Sequence, residues 1–215
     1  MALDLYVVTD ETLGRGHSHA EIARLACAGG ADAIQLRDKC CSMRDLCRAG
    51  REIREITSAT GTLFIVNDRL DVALACGADG VHLGQGDLRV DVARQIAPRP
   101  FIIGISAGTV AEAVAAEEEG ADYVVLSPVF STTSKDNAGP GQGLFVLREM
   151  KKAVSVPVLA IGGISRDNVI SVIGAGADGV AVISAVVGQP DITTATRDLK
   201  DRIAAAKKPV QGEKQ

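Results

Sequence analysis

Short runs of β-branched and aliphatic residues alternate along the chain with longer segments in which apolar residues recur at helical spacing. The apolar runs predict eight strands, at residues 5–9, 33–37, 62–67, 80–83, 101–106, 123–128, 158–161 and 179–184. A helical pattern follows each strand, at residues 18–28, 42–58, 69–76, 88–97, 109–119, 144–154, 166–175 and 192–206. Because the strands are apolar at nearly every position, we expect a parallel sheet that is covered by helices.

A Gly-Ala-Asp phrase recurs four times, beginning at Gly30, Gly77, Gly120 and Gly176. Each copy follows an alanine-rich helical stretch and precedes a predicted strand, which suits a left-handed glycine at a helix end. We expect the aspartate to make a turn hydrogen bond before the strand begins. The copies are 47, 43 and 56 residues apart, and each distance fits two strand–helix units. The repeat therefore marks every second strand of an alternating series.

Eight strand–helix units predict the α/β class and, within it, a closed parallel (β/α)8 TIM barrel. The barrel is expected to form a single domain over residues 1–206, and the polar residues 207–215 a disordered tail. A doubly wound open sheet is the alternative, but it would carry a glycine-rich phosphate loop after its first strand. The residues from Val7 to Asp10 lead into no such loop, so the barrel is favoured.

Composition and charge exclude several classes of protein. The chain has 215 residues and is 47% hydrophobic, which allows one large domain and excludes intrinsic disorder. A balance of 27 acidic against 23 basic residues, with few aromatic residues, indicates no nucleic-acid partner. No apolar stretch approaches the ~18 residues of a membrane span. Without a signal-peptide pattern or a CxxC pair, we expect a cytoplasmic protein with five free thiols. The oligomeric state is left open, a homo-oligomer included.

Polar residues are concentrated where predicted strands end, which is where barrels of this kind place their chemistry. Arg37 and Lys39 follow the second strand, and Lys135 lies in the long loop after the sixth. Asp68 and Asp87 follow the third and fourth strands and offer the hard oxygen ligands that Mg²⁺ prefers. Cations beside a metal site indicate a pyrophosphate ligand, with the metal neutralising charge on a leaving group.

A second anion site is predicted at the last two strands. Gly162 and Gly163 follow the seventh strand, and Ser184 ends the eighth. These loops of a barrel commonly bind a phosphate through backbone N–H groups. The sequence therefore suggests two separate sites, one for a metal-assisted pyrophosphate and one for a phosphomonoester.

Each of these groups also has a purely structural interpretation. Arg37 and Lys39 could be solvated loop charges. Asp68 and Asp87 could cap the helices that follow them. The Gly-Gly pair is a common turn after a strand. The functional reading is favoured because all of these residues fall at strand ends on one face of the barrel.

The three histidines and the adjacent cysteines give weaker signals. His82 lies inside the fourth strand and is interpreted as a hydrogen-bonded barrel histidine. His17 and His19 resemble a metal pair but lack further ligands in the sequence, so they are interpreted as loop histidines. Cys40 and Cys41 have no base beside them in sequence and are expected to take no part in the chemistry.

Five segments carry a family resemblance, at residues 35–39, 65–68, 80–87, 132–135 and 161–164. In this order and at these spacings the chain resembles thiamine-phosphate synthases from Leu5 to Ser184. The resemblance implies two small-molecule substrates, 4-amino-5-hydroxymethyl-2-methylpyrimidine pyrophosphate and 4-methyl-5-(2-phosphoethyl)thiazole, which give thiamine phosphate and pyrophosphate. It implies Mg²⁺ as the cofactor.

The resemblance also assigns roles to residues of this chain. The pyrimidine pyrophosphate would be held by Gln35, Arg37, Lys39, Asn67, Ser106 and Lys135, of which Arg37, Lys39, Ser106 and Lys135 would be catalytic. Mg²⁺ would be bound by Asp68 and Asp87. The thiazole phosphate would be held by Thr132, Ser134, Gly163, Ile183 and Ser184. The loop at residues 131–143 could close over the site and exclude water.

Three positions depart from the family pattern. Ser134 stands where Thr is usual, and Gly86 stands where an acidic residue is common before the metal Asp. Gly108 stands where relatives often carry His, which the related thiazole tautomerases use as an acid and base. Since glycine transfers no proton, a tautomerase is the less favoured alternative. A non-catalytic barrel that binds a thiazole or thiamine phosphate is the other alternative, but it would have no use for Asp68 and Asp87.

Overall fold

A computed structural model describes residues 3–132 and 140–208 and shows eight parallel strands in a closed barrel. The strands are β1 (Leu5–Val8), β2 (Ala33–Leu36), β3 (Leu63–Asn67), β4 (Gly80–Leu83), β5 (Ile102–Ala107), β6 (Tyr123–Leu126), β7 (Val158–Ala160) and β8 (Gly179–Val182). The helices are α1 (His19–Ala28), α2 (Met43–Thr60), α3 (Leu70–Ala75), α4 (Val90–Ile96), α5 (Val110–Glu118), α6 (Gly143–Ala153), α7 (Val169–Gly174) and α8 (Ile192–Lys207). The predicted (β/α)8 TIM barrel is confirmed.

The strands are mostly apolar because the barrel buries both of their faces. Alternate residues point to opposite sides, so in β1 Leu5 and Val7 pack against the surrounding helices while Tyr6 and Val8 fill the interior. β1 pairs in parallel with both β2 and β8, which closes the sheet. The carboxyl ends of all eight strands therefore meet at one face of the barrel.

The four Gly-Ala-Asp phrases lie at the opposite face and lead into β2, β4, β6 and β8, as predicted. All four glycines have positive φ, between 64° and 104°, and each lies two residues after the last residue of α1, α3, α5 or α7. The prediction of a turn hydrogen bond for the aspartates is wrong. Each carboxylate instead accepts a backbone N–H from the start of the preceding strand, at 2.7–2.8 Å. The donor is the first or second residue of that strand, and the acceptors are Asp32, Asp79, Asp122 and Asp178. Each also pairs with a Lys or Arg of a surrounding helix.

The boundary between the barrel domain and the tail, placed at residue 206 from the sequence, stays a prediction. Helix α8 runs to Lys207, so the last helix extends one residue into the predicted tail. The predicted disorder of the tail concerns mostly residues 209–215, which lie outside the described residues. Among the helices of the described chain, none has the length and apolar character needed to cross a membrane.

Candidate active site

A cavity of about 760 Å³ opens at the carboxyl ends of the strands. Ten of the thirteen residues predicted for the site line it: Arg37, Lys39, Asn67, Asp68, Asp87, Ser106, Thr132, Gly163, Ile183 and Ser184. These residues come from segments spread over most of the chain, and the barrel brings them together because every strand end opens on the same face.

Three predicted residues are not among those that line the cavity. Gln35 is buried below it, in the barrel interior, where its Nε2 donates to the Tyr6 hydroxyl at 2.9 Å. Ser134 and Lys135 lie outside the described residues, as does most of the loop that was predicted to close over the site.

Two carboxylates meet on one side of the cavity. Asp68 directly follows β3 and has the left-handed conformation, with φ of 60°, which a non-glycine residue adopts at a cost and which recurs at functional sites. Burial and the neighbouring Asp87 carboxylate raise the pKa of Asp68 to about 6, although Lys39 and Arg37 oppose the shift. The Asp87 carboxylate is itself oriented by the Gly84 N–H, which donates to its Oδ2 at 2.7 Å.

Neither carboxylate serves as a helix cap. The capping positions of α3 and α4 are Arg69 and Arg89, and no side-chain capping hydrogen bond is present at either of them. The capping interpretation of Asp68 and Asp87 is therefore wrong. Two adjacent carboxylates whose repulsion is only partly compensated can hold a divalent cation.

The loop after β2 carries two cations, Arg37 and Lys39. The Arg37 side chain is only 12% exposed, and its Nη1 lies 3.7 Å from Asp10 Oδ2. Lys39 is more exposed, and its Nζ lies 3.9 Å from Asp68 Oδ2. For Arg37 the interpretation as a solvated loop charge is therefore wrong.

The opposite side of the cavity is built on the glycine turn after β7. Gly162 and Gly163 have φ of 105° and 60°, and a Cβ on either would lie within 2.8 Å of Pro128 or Phe130. Only glycine fits there, because the backbone that leads from β6 passes directly against the turn. Ile183 and Ser184 complete this side from the end of the adjacent β8.

A chain of buried polar side chains crosses the barrel beneath the cavity. It runs from Gln35 to the Tyr6 hydroxyl, then at 3.1 Å to the Tyr123 hydroxyl, and at 3.2 Å to His82 Nδ1. His82 Nε2 lies 2.9 Å from Ser106 Oγ. His82 is thus hydrogen-bonded inside the barrel, as interpreted from the sequence, but it also lines the cavity, which was not predicted.

Other residues of the cavity wall were also not assigned from the sequence. Gln85 donates from Nε2 to the Ser106 carbonyl at 2.8 Å, and Gln142 lies at the start of α6. Gln85 follows the fourth strand, so its position at a strand end was a usable signal. Gln142 comes at the end of a long loop, and nothing local in the sequence distinguishes it.

A parallel barrel whose mouth combines cations, paired carboxylates and a glycine turn is typical of enzymes that act on small phosphorylated substrates. Residues 5–186 match the family model described as thiamine monophosphate synthase. One similar protein is the thiamine-phosphate synthase of Methanoregula boonei, which is 71% identical over 96% of both chains. Another is that of Methanoculleus marisnigri, which is 66% identical over 96% of this chain and 98% of the relative.

A solved structure agrees with these sequence matches. Thiamine phosphate pyrophosphorylase from Pyrococcus furiosus superposes with a TM-score of 0.89 at 43% identity, and the match covers 95% of this chain and 97% of that one. The chain belongs to the thiamine-phosphate synthase family. It is accordingly a transferase of thiamine biosynthesis that acts on small molecules.

Proposed function

We propose that the protein joins 4-amino-5-hydroxymethyl-2-methylpyrimidine pyrophosphate to 4-methyl-5-(2-phosphoethyl)thiazole, forming thiamine phosphate and pyrophosphate. The observation that carries the proposal is the division of the cavity wall into two regions suited to anions. Cations and paired carboxylates lie at the ends of β2 to β4, and the glycine turn and Ser184 lie at the ends of β7 and β8. One substrate carries a pyrophosphate and the other a phosphomonoester, so each region has a ligand of matching chemistry.

Asp68 and Asp87 are the residues that would hold Mg²⁺. Their donor set fits the ion, because carboxylate oxygens are its preferred protein ligands. The raised pKa of Asp68 comes from its burial and from the Asp87 carboxylate beside it. When bound, Mg²⁺ would supply charge neutralisation on the departing pyrophosphate.

The reaction needs no nucleophile from the protein. The bond between the pyrimidine methylene carbon and the pyrophosphate oxygen breaks, and its electron pair leaves with the pyrophosphate. The electron-rich aminopyrimidine delocalises the positive charge that remains, so departure runs ahead of attack. The thiazole nitrogen then donates its electron pair to the methylene carbon and forms the new C–N bond.

The protein's part in this reaction is electrostatic stabilisation and positioning. Arg37, Lys39 and Lys135 would stabilise the charge that develops on the leaving group. Asn67 and Ser106 would hold the pyrimidine, and the residues at the ends of β6 to β8 would hold the thiazole phosphate so that its nitrogen faces the reacting carbon.

The proposal is tested by mixing purified protein with both phosphorylated substrates, with Mg²⁺ or with excess EDTA, and following both products. Equal, metal-dependent formation of pyrophosphate and thiamine phosphate is the expected result. Pyrophosphate alone would mean that the thiazole assignment is wrong. No product from folded protein would favour the tautomerase or the binding protein instead.

We expect Mg²⁺ to stabilise the fold strongly near pH 7.5 and weakly near pH 5, because these values lie above and below the raised pKa of Asp68. Without metal, the folded protein keeps the Asp68 proton up to about pH 6, whereas the unfolded chain releases it near 3.8. The folded state therefore binds more protons between these values, and stability falls as the pH rises through that window. Melting temperatures with and without Mg²⁺ at both pH values measure the effect.

The control for this prediction is Asp68→Asn, which cannot titrate. The variant should lose both the pH dependence in this window and most of the stabilisation by Mg²⁺. Equal stabilisation of the wild type at both pH values would contradict the assignment of Asp68 as a metal ligand.

For Lys135→Ala we expect weaker activity, because the pyrophosphate loses one stabilising cation. The KM for the pyrimidine substrate should rise and kcat should fall, by about tenfold each, while the KM for the thiazole phosphate stays the same. Steady-state kinetics with each substrate varied in turn provide the measurement. Unaltered rates at both limiting and saturating pyrimidine substrate would remove Lys135 from this role.

The cytoplasm is the location that we propose, because five free thiols, two of them exposed, suit a reducing compartment. The oligomeric state, which the sequence leaves open, can be measured by light scattering of the purified protein.

A further inference from the structure

A second cluster of polar side chains lies beside the cavity, between the start of α1 and the loop after β2. His19, the first residue of α1, is 4% exposed, so its interpretation as a loop histidine is wrong. Its Nδ1 lies 2.8 Å from Thr9 Oγ1, and its Nε2 lies 3.2 Å from Asp38 Oδ2. Both nitrogens of this buried ring therefore have partners, as burial of a polar group requires.

Asp38 organises the turn that follows β2. Its Oδ1 accepts the backbone N–H groups of Cys40 at 2.7 Å and Cys41 at 2.9 Å. Burial raises the pKa of Asp38, but these two hydrogen bonds and His19 outweigh it, so the pKa lies below its usual value. The carboxylate is therefore ionised at neutral pH and can only accept hydrogen bonds.

This property of Asp38 determines the direction of the other hydrogen bonds. His19 Nε2 must carry the hydrogen that Asp38 accepts, so in the neutral ring Nδ1 accepts from the Thr9 hydroxyl. The Thr9 oxygen in turn accepts the backbone N–H of Arg37 at 3.3 Å. A continuous chain of hydrogen bonds thus runs from the Arg37 backbone through Thr9 and His19 to Asp38.

The chain controls the segment from which two active-site cations project. Arg37 and Lys39 line the large cavity, whereas Asp38, between them in sequence, lines a separate cavity of about 170 Å³ together with His19. The two cations and the aspartate therefore point to different sides of the segment. Fixing Asp38 on its side fixes the backbone that aims Arg37 and Lys39 on the other.

We propose that His19 is a positioning residue for pyrophosphate binding: by joining Asp38 to Thr9, it holds the segment from which Arg37 and Lys39 reach the active site. The inference rests on the proposed function, which gives those two cations the pyrophosphate as their ligand. His19 itself lies in the smaller cavity and acts through its neighbours.

A metal ion bound by the same cluster is the competing account. Ligand atoms of Glu11, His19 and Asp38 lie within 4.8 Å of one another. A metal on His19 Nε2 would displace the hydrogen that Asp38 accepts. The two accounts assign Glu11 different roles. In the hydrogen-bond account its carboxylate accepts the His19 backbone N–H at 2.9 Å, and it lies 3.9 Å from His19 Nε2.

The experiment measures binding of inorganic pyrophosphate with Mg²⁺ by calorimetry, and KM for both substrates. Three variants are compared. In His19→Asn the amide replaces only the contact with Thr9, whereas in His19→Gln the longer side chain can reach Asp38. The third variant is Asp38→Ala. His17→Ala is the matched control, because His17 lies two residues away with a side chain 42% exposed.

We expect His19→Asn and Asp38→Ala to weaken pyrophosphate binding and raise the KM for the pyrimidine substrate by about 10- to 100-fold, as misplaced binding groups do. The KM for the thiazole phosphate should not change, and His19→Gln should recover most of the loss. The His19→Asn/Asp38→Ala double variant should be no worse than the poorer single variant, because both break the same link.

Three results would overturn the proposal. The first is wild-type pyrophosphate affinity in His19→Asn, even if its melting temperature falls, since His19 would then be merely structural. The second is an equal loss of affinity for both substrates. The third is a tightly bound divalent metal in the purified protein that is lost in both His19→Asn and Glu11→Gln. If the wild type binds pyrophosphate but forms no thiamine phosphate, the proposed function fails while the pyrophosphate measurements still decide the role of His19.

Discussion

Replacing Asp87 with Asn is expected to lower Mg²⁺-dependent turnover by about 100- to 1,000-fold, the effect of removing one group that stabilises charge in a transition state. The asparagine has the same shape, and its carbonyl oxygen can still accept the Gly84 N–H that orients Asp87. The fold should therefore persist while one of the two proposed anionic ligands is lost. The measurement is kcat at saturating concentrations of both substrates over a range of Mg²⁺ concentrations, with circular dichroism to check the fold.

The matched control is Asp91→Asn. Asp91 lies in the first turn of α4, where it pairs with Arg89 on the surface, and its loss should leave turnover unchanged. The Asp87→Asn variant should also lower the pKa of Asp68 toward its ordinary value, because the Asp87 charge is one cause of the shift. Unchanged turnover in Asp87→Asn would remove Asp87 from the metal site.

Replacing Gly104 with Ala should destabilise the barrel by about 3 kcal/mol, near the upper end of what overpacking of a core costs. A Cβ on Gly104 would lie 2.0 Å from Tyr123 Cζ and 2.4 Å from its hydroxyl oxygen. The ring, which is completely buried, would have to move and break its hydrogen bonds to Tyr6 and His82. Urea unfolding measures the change in free energy.

Gly174→Ala is the control for this second substitution. Gly174 ends α7, and a Cβ there would meet no atom within 4 Å, so its replacement should be neutral or slightly stabilising. The cost of Gly104→Ala should shrink in a Tyr123→Ala background, where the ring is absent. If Gly104→Ala is as stable as the wild type, Gly104 and Tyr123 do not pack as closely as described.

The architecture could be predicted from the sequence because its signals are local. Consecutive apolar residues identify a strand buried on both faces, and helical spacing identifies the segments between strands. The left-handed glycines at Gly30, Gly77, Gly120 and Gly176 were likewise predicted, because a helix end requires them within a few residues of the signal. Ten of the residues that line the cavity could also be predicted, since parallel strands in a closed barrel must place their carboxyl ends on one face.

The partners of individual side chains were not predictable in this way. Tyr6 and Tyr123 share a hydrogen bond although 117 residues separate them, and nothing near either residue indicates the other. The Gly-Ala-Asp carboxylates were expected to bond within their own turns, but they accept N–H groups of the preceding strand, which only the closed sheet brings beside them.

The sequence by itself determined the (β/α)8 class, the order of the elements, the family and ten of the residues that line the cavity. Those properties depend on residue type and on spacing over one or two strand–helix units. Only the tertiary structure decided the raised pKa of Asp68, the burial of His19 against Asp38, and the place of His82 in a chain that reaches Ser106. These depend on distances through space and on exclusion of water, and both arise only when the barrel closes and brings distant segments into contact.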